Sequence, residues 1–580
     1  MRVLWSMLAL VSYSRGIAAA PKAPDPRVEP VVLSIHPFTG QRGATFSATV
    51  RGTGLKGAKA AFVTAGAPVT ITTESVEPEP AAEPKGGKSK APIDLVRLRI
   101  EIAADSKAGR YPFRLVTPYG VSNALPLHVT DLPIAAEPAG THDSPESAIA
   151  VSAVPTIFNG RISQRGETDY YSFQAKAGQT LTFQVISGLP QIAAPGSAAT
   201  IANFDPSLTL YEGGGSWFDA SRLKRIAYND EPVWVFGRVT DAHMQHRFER
   251  SGMYFMRIEA FAGQGGPDYG YQLKIVDGAV PQDLPVTEKS WDERGFTRTL
   301  SANRLNELAA RGGKRPDQTS IETYRAQPVP AAEAPIFKLP GTLDGMLVQP
   351  GETHRARFQI DSPRDIAIEV QTPSAAPPYF NPVVRLLNAA GNEVATNIFA
   401  GRGACNGALS KSLQTKAIVP LRETGVYTLE VRDATADFGG EAFRYRVQVR
   451  PAIPHVGEIR IDTDHINLAP EEAKTIRVVF DREEDYRGAV AVMAELLPVG
   501  VQALTGADFE PEKDPPSTVG KRERYTPRTE RTVVVLTAAS DAAATMQPQI
   551  ARIVVRPVVD GKLGEPLATK SIPIMVLPKL

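Results

Sequence analysis

Apolar and polar residues alternate in short runs along most of the chain, and the runs are broken by Gly, Pro, Asn and Asp. Side chains of a strand point alternately to its two faces, so this pattern predicts strands with one buried face. Val31-Val32-Leu33-Ser34-Ile35 opens the series. After the turn Pro37–Gly43 comes Phe46-Ser47-Ala48-Thr49-Val50, then the turn Gly52-Thr53-Gly54-Leu55, then Leu95–Ile100 and Gly109–Leu115. Tyr171, Phe173, Leu181 and Phe183 fit inward positions on two strands flanking the turn Ala177-Gly178-Gln179. Val426–Val431 and Phe443–Val449 alternate in the same way, and each of these two regions reads as antiparallel β. Ile459–Ile461, Thr475–Phe480, Val490–Val492, Thr532–Leu536, Ile553–Val555 and Ile574–Leu577 continue the pattern toward the C-terminal end. Short strands spaced by turns at roughly 8–12 residues predict an all-β chain of tandem β-sandwich domains, immunoglobulin-like and jelly-roll-like.

One helix interrupts this plan. Ser301 can cap it, Leu300 and Leu305 form a hydrophobic staple, Leu305, Leu308 and Ala309 make an apolar face, and Gly312-Gly313 ends it. The expectation is a short connector helix at about 302–311, docked on a neighbouring sandwich. Two stretches are too polar to order themselves. Glu74–Lys90, within an insert at 74–92, has almost no apolar side chains and is expected as a loop. Asp508–Arg531 is Pro-rich with a basic end, KRERYTPRTER. It reads as a solvated loop, with polyanion binding as the alternative, although Glu523 and Glu530 dilute its charge.

The chain also repeats itself. Asn159–Gln174 (NGRISQRGETDYYSFQ) aligns without a gap to Asp344–Gln359 (DGMLVQPGETHRARFQ), sharing Gly, Gln, Gly, Glu, Thr, Phe and Gln. Phe204-Asp205-Pro206 then matches Phe380-Asn381-Pro382, and Ser251-Gly252-Met253-Tyr254 matches Thr424-Gly425-Val426-Tyr427. Order is preserved while the spacing shrinks, so one domain is present twice and its first copy has the longer loops.

Two family resemblances follow. The first unit has a strand leading into Pro37, a Gly52-Thr53-Gly54-Leu55 turn, Tyr119-Gly120 and then Ser122-Asn123-Ala124. It resembles the IPT/TIG immunoglobulin-like domains, which implies a spacer or binding module. The first repeat copy has Glu137-Pro138, Gly160-Arg161-Ile162, Asp169-Tyr170-Tyr171-Ser172-Phe173 and Ala177-Gly178-Gln179. It continues with Asp205–Leu210, Ala227-Tyr228-Asn229-Asp230, Ser251–Tyr254 and Tyr271–Ile275. This resembles the bacterial pre-peptidase C-terminal (PPC) domain. The second copy is degenerate, with His354 replacing Asp169 and Asn381 replacing Asp205. The resemblance implies a sandwich appended to exported proteins, itself without peptidase activity. The last unit resembles bacterial immunoglobulin-like repeats around Leu497-Pro498-Val499-Gly500-Val501. The expected division is a signal peptide at 1–19, an IPT/TIG-like domain at 28–132, PPC-like sandwiches at 134–278 and 336–451 joined by a connector at 279–335, and an immunoglobulin-like sandwich at 454–580.

Composition narrows the setting. Across 580 residues, 64 Lys+Arg face 63 Asp+Glu, so no net field draws the chain to nucleic acid or an acidic membrane. The single cysteine, Cys405, excludes internal disulfides and cysteine-based metal sites, leaving hydrophobic cores to hold the domains. Arg2, the apolar run Val3–Val11 and Ala18-Ala19-Ala20 follow the order of a secretory signal, with cleavage expected after Ala19. No later segment is apolar for long enough to span a bilayer as a helix, so a secreted or periplasmic protein without a transmembrane anchor is expected.

Candidate chemistry is sparse. There is no nucleophile elbow, zincin motif, P-loop or dinucleotide fingerprint. His142-Asp143-Ser144 holds triad residue types side by side, where a relay cannot form easily. His243 and His246 would supply two metal ligands only on a helical turn, and a solvated loop is the plainer reading. Asp205, Asn229, Asp230 and Asp241 offer the hard oxygens that calcium takes, although such residues also end strands and build turns. Trp217, Tyr228, Trp234 and Phe236 could stack on sugar rings or anchor a protein, or could simply cover a sheet edge. The reading is therefore a non-enzymatic, exported binding or structural protein of the cell envelope or exterior, its partner a polysaccharide or a protein. The alternative is a noncatalytic accessory or chaperone-like subunit of a secreted peptidase or other hydrolase.

Overall fold

The computed structural model describes residues 28–580 except 64–67, 81–91, 189–203, 214–222, several positions between 231 and 241, 279–321, 373–379, 403–408, several between 435 and 442, 505–526, and 580. The expected signal peptide and the helix at 302–311 lie outside the described residues. Among those described, the chain is almost entirely β, and helical turns are three-residue segments such as Pro145–Ser147. Four hydrophobic cores succeed one another along the sequence, each within a β-sandwich.

The first sandwich sets the sheet Val31–His36, Thr45–Thr53, Asp94–Ile102 and Val69–Pro78 against two small sheets. Val50, Leu98, Phe113 and Leu115 fill its centre. Asn123 closes it: its side chain accepts from Val32 N at 2.8 Å and donates to Val32 O at 3.0 Å, completing a ladder with no strand. The loop expected from Glu74 onward begins later than composition suggests. Glu74–Pro78 still belong to the Val69–Pro78 strand, with Val76 opposite Val96 and Pro78 opposite Asp94. One apolar side chain, Val76, packs on the core, and Glu79 pairs with Arg51 just beyond; residues 81–91 lie outside the described set.

The second and third sandwiches share one strand order. In the second, Ile134–Ala136, Thr156–Arg161, Gly270–Asp277, Thr180–Ser187 and His243–Arg247 form one sheet. Ile149–Ala150, Thr168–Ala175, Gly252–Ala260, Pro206–Glu212 and Lys224–Asn229 form the other. The third repeats this with Glu322–Arg325, Gly341–Met346, Arg444–Pro451, Arg364–Gln371 and Lys416–Leu421 over Ile336–Phe337, Thr353–Ile360, Gly425–Asp433, Pro382–Leu387 and Glu393–Thr396. Tyr171, Phe173, Leu181 and Phe183 all point into the second core. The sheets are not wholly antiparallel, because each begins with a short edge strand paired in parallel, such as Ile134–Ala136 on Thr156–Arg161. One of these, Glu322–Arg325, comes from the stretch expected as connector; it is too short to show a period.

Gly160 and Gly345 occupy the same place in the two repeats. Each lies opposite a tyrosine, Tyr271 or Tyr445, whose ring crosses the glycine. A Cβ on either would sit 2.3 Å from that tyrosine. The repeated Gly therefore reflects a ring laid across a strand.

The fourth sandwich pairs His455–Val456, Ala473–Glu483, Arg528–Ala538 and Val501–Leu504 against Ile466–Leu468, Ala568–Val576, Gln549–Val559 and Val490–Glu495. Arg528–Arg531, read from composition as loop, are strand. The reason is Glu530, which is buried and accepts from Arg482 Nε at 2.8 Å, so the charge is inside and paired.

Contacts between sandwiches do not follow chain order. The first meets the second through Ser34 and Arg51, both on Asp268, and through Thr39 Oγ1 donating to Gln272 Oε1 at 2.7 Å. The first also meets the fourth. Asn467 accepts from Val121 N at 2.8 Å and donates to Val121 O at 2.9 Å, Arg114 pairs with Asp464 at 2.8 Å, and Val116 and Val121 pack on Met575 and Leu577. The third meets the fourth where Glu484, fully buried, lies 2.5 Å from Arg450 and 2.7 Å from Lys416. In space the order is second, first, fourth, third.

Candidate functional site

The passage from the first sandwich to the second builds a cleft. Thr39–Gln41 pairs in parallel with His128–Thr130, and the chain then runs directly into the edge strand Ile134–Ala136. The turn around Pro37–Ala44 forms one wall; the other is Ile134–Gly140 with the end of the Thr156–Arg161 strand. The cleft measures about 640 Å³, within the range of small-molecule sites. The walls are tied across their base, since Asn159 Nδ2 donates to Thr39 O at 3.1 Å beside the Thr39–Gln272 bond.

Three buried polar atoms of its lining lack a hydrogen-bond partner: His36 Nδ1, Asn159 Oδ1 and Arg161 Nε. All three are closed off from the cleft space, and His36 Nδ1 lies beside Gly270, which is not part of the lining. Glu137 and Glu167 supply carboxylates at the rim and Phe46 and Ile134 apolar surface. Burial, helped by the charge of Arg161, lowers the His36 pKa to about 4, so its ring is neutral near pH 7. Burial raises the pKa of Glu137, opposed by the backbone N–H of Arg161, which donates to its Oε2 at 3.0 Å.

Behind the cleft lies a buried acidic centre. Asp169 is fully buried, accepts from Tyr271 Oη at 2.6 Å on one oxygen, and has no partner on the other. Tyr171 Oη is 2.8 Å from Tyr271 Oη. Burial lifts the Asp169 pKa to about 7, the Tyr271 bond pulling the other way. His142 sets both ring nitrogens against carbonyls, Ser147 O at 3.0 Å and Pro138 O at 2.9 Å. Only the imidazolium donates from both, and although burial opposes the charge, the two carbonyls outweigh it and raise the pKa. No relay to Ser144 forms, for Ser144 Oγ lies 3.2 Å from Ser147 Oγ. In the third sandwich His354 stands at the Asp169 position, 2.8 Å from Tyr445 Oη and 2.9 Å from Glu352.

Of the residues singled out from sequence, Asp205, Tyr228, Asn229 and Asp230 lie elsewhere, toward one end of the second sandwich. The register Leu208 opposite Asn229 brings Asp205 and Asp230 to the same sheet end. Asn229 is buried and its Oδ1 accepts from His243 N at 3.0 Å. Tyr228, nearly half exposed, donates to Asp230 Oδ2 at 3.1 Å. Trp234 lies in the short strand Val233–Trp234. Trp217, Phe236 and Asp241 lie outside the described residues. Among the described residues, no three His, Cys, Asp or Glu side chains are grouped to hold a metal ion. His243 and His246 sit on the strand His243–Arg247, neither on a helical turn nor in a loop. Three residues apart on a strand they take opposite faces: His243 is buried, and His246 packs edge-on against Phe248 at 4.9 Å.

In the sequence, Glu137 and Arg161 stand only within a family-like pattern, and no motif marks His36 or Asn159 as site residues. Nothing in the sequence links residues 36–46 to 134–167, because the cleft exists only once two sandwiches dock.

No family model matches the chain, and no curated protein matches it. Among solved structures, it is similar to the pre-peptidase C-terminal domain of a collagenase from Bacillus anthracis, at 18% identity over 21% of this chain and 100% of that one, with a TM-score of 0.15. Domains 4 and 5 of the S-layer protein SbsC are 10% identical over 34% of this chain and 98% of that one, at 0.14. SGBP-B from a complex xyloglucan utilization locus in Bacteroides uniformis is 8% identical over 43% of this chain and 73% of that one, at 0.14. No helix among the described residues is long and apolar enough to cross a membrane.

Proposed function

We propose that this chain is an exported, non-enzymatic protein of the cell envelope or exterior that captures a ligand in the cleft between its first and second sandwiches. The observation that carries this reading is the preformed cleft itself, about 640 Å³, whose lining brings Glu137, Glu167 and Arg161 together with the apolar Phe46 and Ile134. The triad-like His142 is engaged by backbone carbonyls, His246 packs on Phe248 and His243 is buried, which fits a binding role without covalent chemistry. The second and third sandwiches are read as two PPC-like copies, supported by their common strand order and the aligned segments Asn159–Gln174 and Asp344–Gln359. The first is read as IPT/TIG-like.

The test is retention of the purified full chain by isolated envelope material, compared with Ser163→Trp. Ser163 is exposed on the cleft wall, so a tryptophan there fills the space without entering the core. Retention should fall sharply in the variant while thermal unfolding stays unchanged. Equal retention of both proteins would move the ligand site away from the cleft.

A further inference from the structure

We infer that the junction between the first and second sandwiches is an acid-operated latch: protonation of His36 and His128, whose rings are seated against the Gly270–Asp277 strand of the second sandwich, undocks the two sandwiches and parts the walls of the cleft. The inference concerns the junction and stands whether or not the cleft takes a ligand.

Both histidines belong to the first sandwich and turn Nδ1 toward the second. His36 ends the strand Val31–His36; its Nδ1 is buried without a hydrogen-bond partner, and a Cβ on Gly270 would stand 3.1 Å from it. His128 is buried on the strand His128–Thr130 and sets Nδ1 3.2 Å from Gln272 Oε1, the oxygen that also accepts from the Thr39 hydroxyl. Phe38 lies edge-on to the His128 ring at 5.3 Å and also meets Gly188 of the second sandwich, where a Cβ would come within 2.5 Å of the phenyl ring. The second sandwich is thus packed directly on both imidazoles.

A charged imidazole carries hydrogen on both nitrogens. At His36 that puts an N–H at Nδ1 where no acceptor stands, close to Arg161, which lies opposite Gly270 in the second sandwich. At His128 the Nδ1–H has Gln272, but the positive ring sits across the strand pair from Arg110. The carboxylates about the junction are already engaged. Asp268 takes Ser34 and Arg51, Glu79 takes Arg51, Asp131 takes Arg42, and Glu137, which shares the cleft lining with Glu167, faces the His142 imidazolium. Burial, helped by Arg161, lowers the His36 pKa to about 4 in the docked form. Burial does the same at His128, to about 4, outweighing the Gln272 bond that opposes it. Undocking returns the rings toward solvent, where imidazole titrates near ~6.5. A group whose pKa falls on docking supports the docked form above about pH 6.5 and withdraws that support as pH drops toward 4. Between pH 7.5 and 5 the opening equilibrium then rises by up to about thirtyfold for each histidine.

The experiment is thiol labelling of the folded full chain with dithiodipyridine, in a background where Cys405 is replaced by serine. Thr39→Cys, buried at the junction, reports undocking, and Ala48→Cys, in the core of the first sandwich, reports unfolding. Dividing each rate by that of the same thiol in the urea-unfolded chain at the same pH gives the opening constant. From pH 7.5 to 5 the constant at Thr39→Cys should rise tenfold or more, and that at Ala48→Cys far less. Adding His36→Asn and His128→Asn together should flatten the profile, and each alone should remove part of the rise, so the single variants carry the test if the double variant does not fold. A level profile at Thr39→Cys in the parent would overturn the latch. The same rise with the histidines replaced would place the sensor elsewhere and overturn it too. Equal rises at both thiols would mean that the sandwich unfolds and does not undock.

Discussion

Replacing Asp169 with asparagine should change how the second sandwich responds to pH. Asp169 is fully buried, receives one hydrogen bond from Tyr271, and has one oxygen unpartnered, so its ionised form is poorly solvated. Its pKa of about 7 in the folded protein stands above the ordinary aspartate value near ~3.9. A carboxyl whose pKa rises on folding binds its proton more tightly when folded. Its contribution to stability is full below about pH 4 and is lost as pH climbs through about 7. With roughly three units between the two states at about 1.36 kcal/mol each, the loss approaches ~4 kcal/mol, and about half of that would remain if water relaxes the site. Asparagine keeps an oxygen for Tyr271 and cannot ionise. Its amide also needs an acceptor, an offset of about 1–3 kcal/mol that does not vary with pH. The variant therefore differs from the parent in slope. Hydrogen exchange on the full chain, corrected for intrinsic rates between pH 5 and 8, reads this locally at Thr168–Ala175 and Gly252–Ala260, with Thr353–Ile360 of the third sandwich as internal reference. Protection should decline with pH in the parent and stay level in the variant. Parallel profiles would refute a buried, protonated Asp169.

Glu484→Gln should destabilise the third–fourth junction by about 3–5 kcal/mol, because Arg450 and Lys416 lose the carboxylate between them; calorimetry should show the two sandwiches melting apart. Burial alone would raise the Glu484 pKa, but Arg450 and Lys416 overcome it and hold it at about 2, so its stabilisation is present above about pH 4 and vanishes toward pH 2. Gly160→Ala and Gly345→Ala should each cost about 1–3 kcal/mol in thermal melts, since the new methyl meets a tyrosine ring; unchanged melting of either would deny that the ring is fixed. Asn467→Ala removes both bonds to Val121 and should expose the first–fourth junction to limited proteolysis while the separate cores stay intact.

The strands were legible because burial imposes a period of two: Tyr171, Phe173, Leu181 and Phe183 announce their facing directly. Composition misled where one residue decides. Glu530 looked like dilution of a basic loop until Arg482 was seen beside it, and Val76 extends a strand into a stretch otherwise made of Glu and Pro. His243 and His246 looked like a spaced pair, and only the strand that carries them shows that they face apart. The cleft was out of reach because its walls come from two sandwiches, and docking leaves no periodic trace in either. Asn159 shows this well: within its own strand it is one polar residue among several, and it becomes part of a site only when Thr39 of the first sandwich lies against it.

The spatial order second, first, fourth, third has a consequence for synthesis. The first sandwich leaves the ribosome before the other three, yet one of its two neighbours, the fourth, follows only after the second and third. Until Asp464, Asn467 and Met575 exist, Arg114 lacks its counter-ion, the Val121 backbone lacks its side-chain partner, and Val116 and Val121 face solvent. The growing chain therefore carries an unclosed seam on its first sandwich that only residues of the fourth, made some 340 residues or more later, can seal. A product truncated before residue 464 would keep that seam open, a sticky and protease-sensitive mark by which quality control could tell unfinished molecules from finished ones.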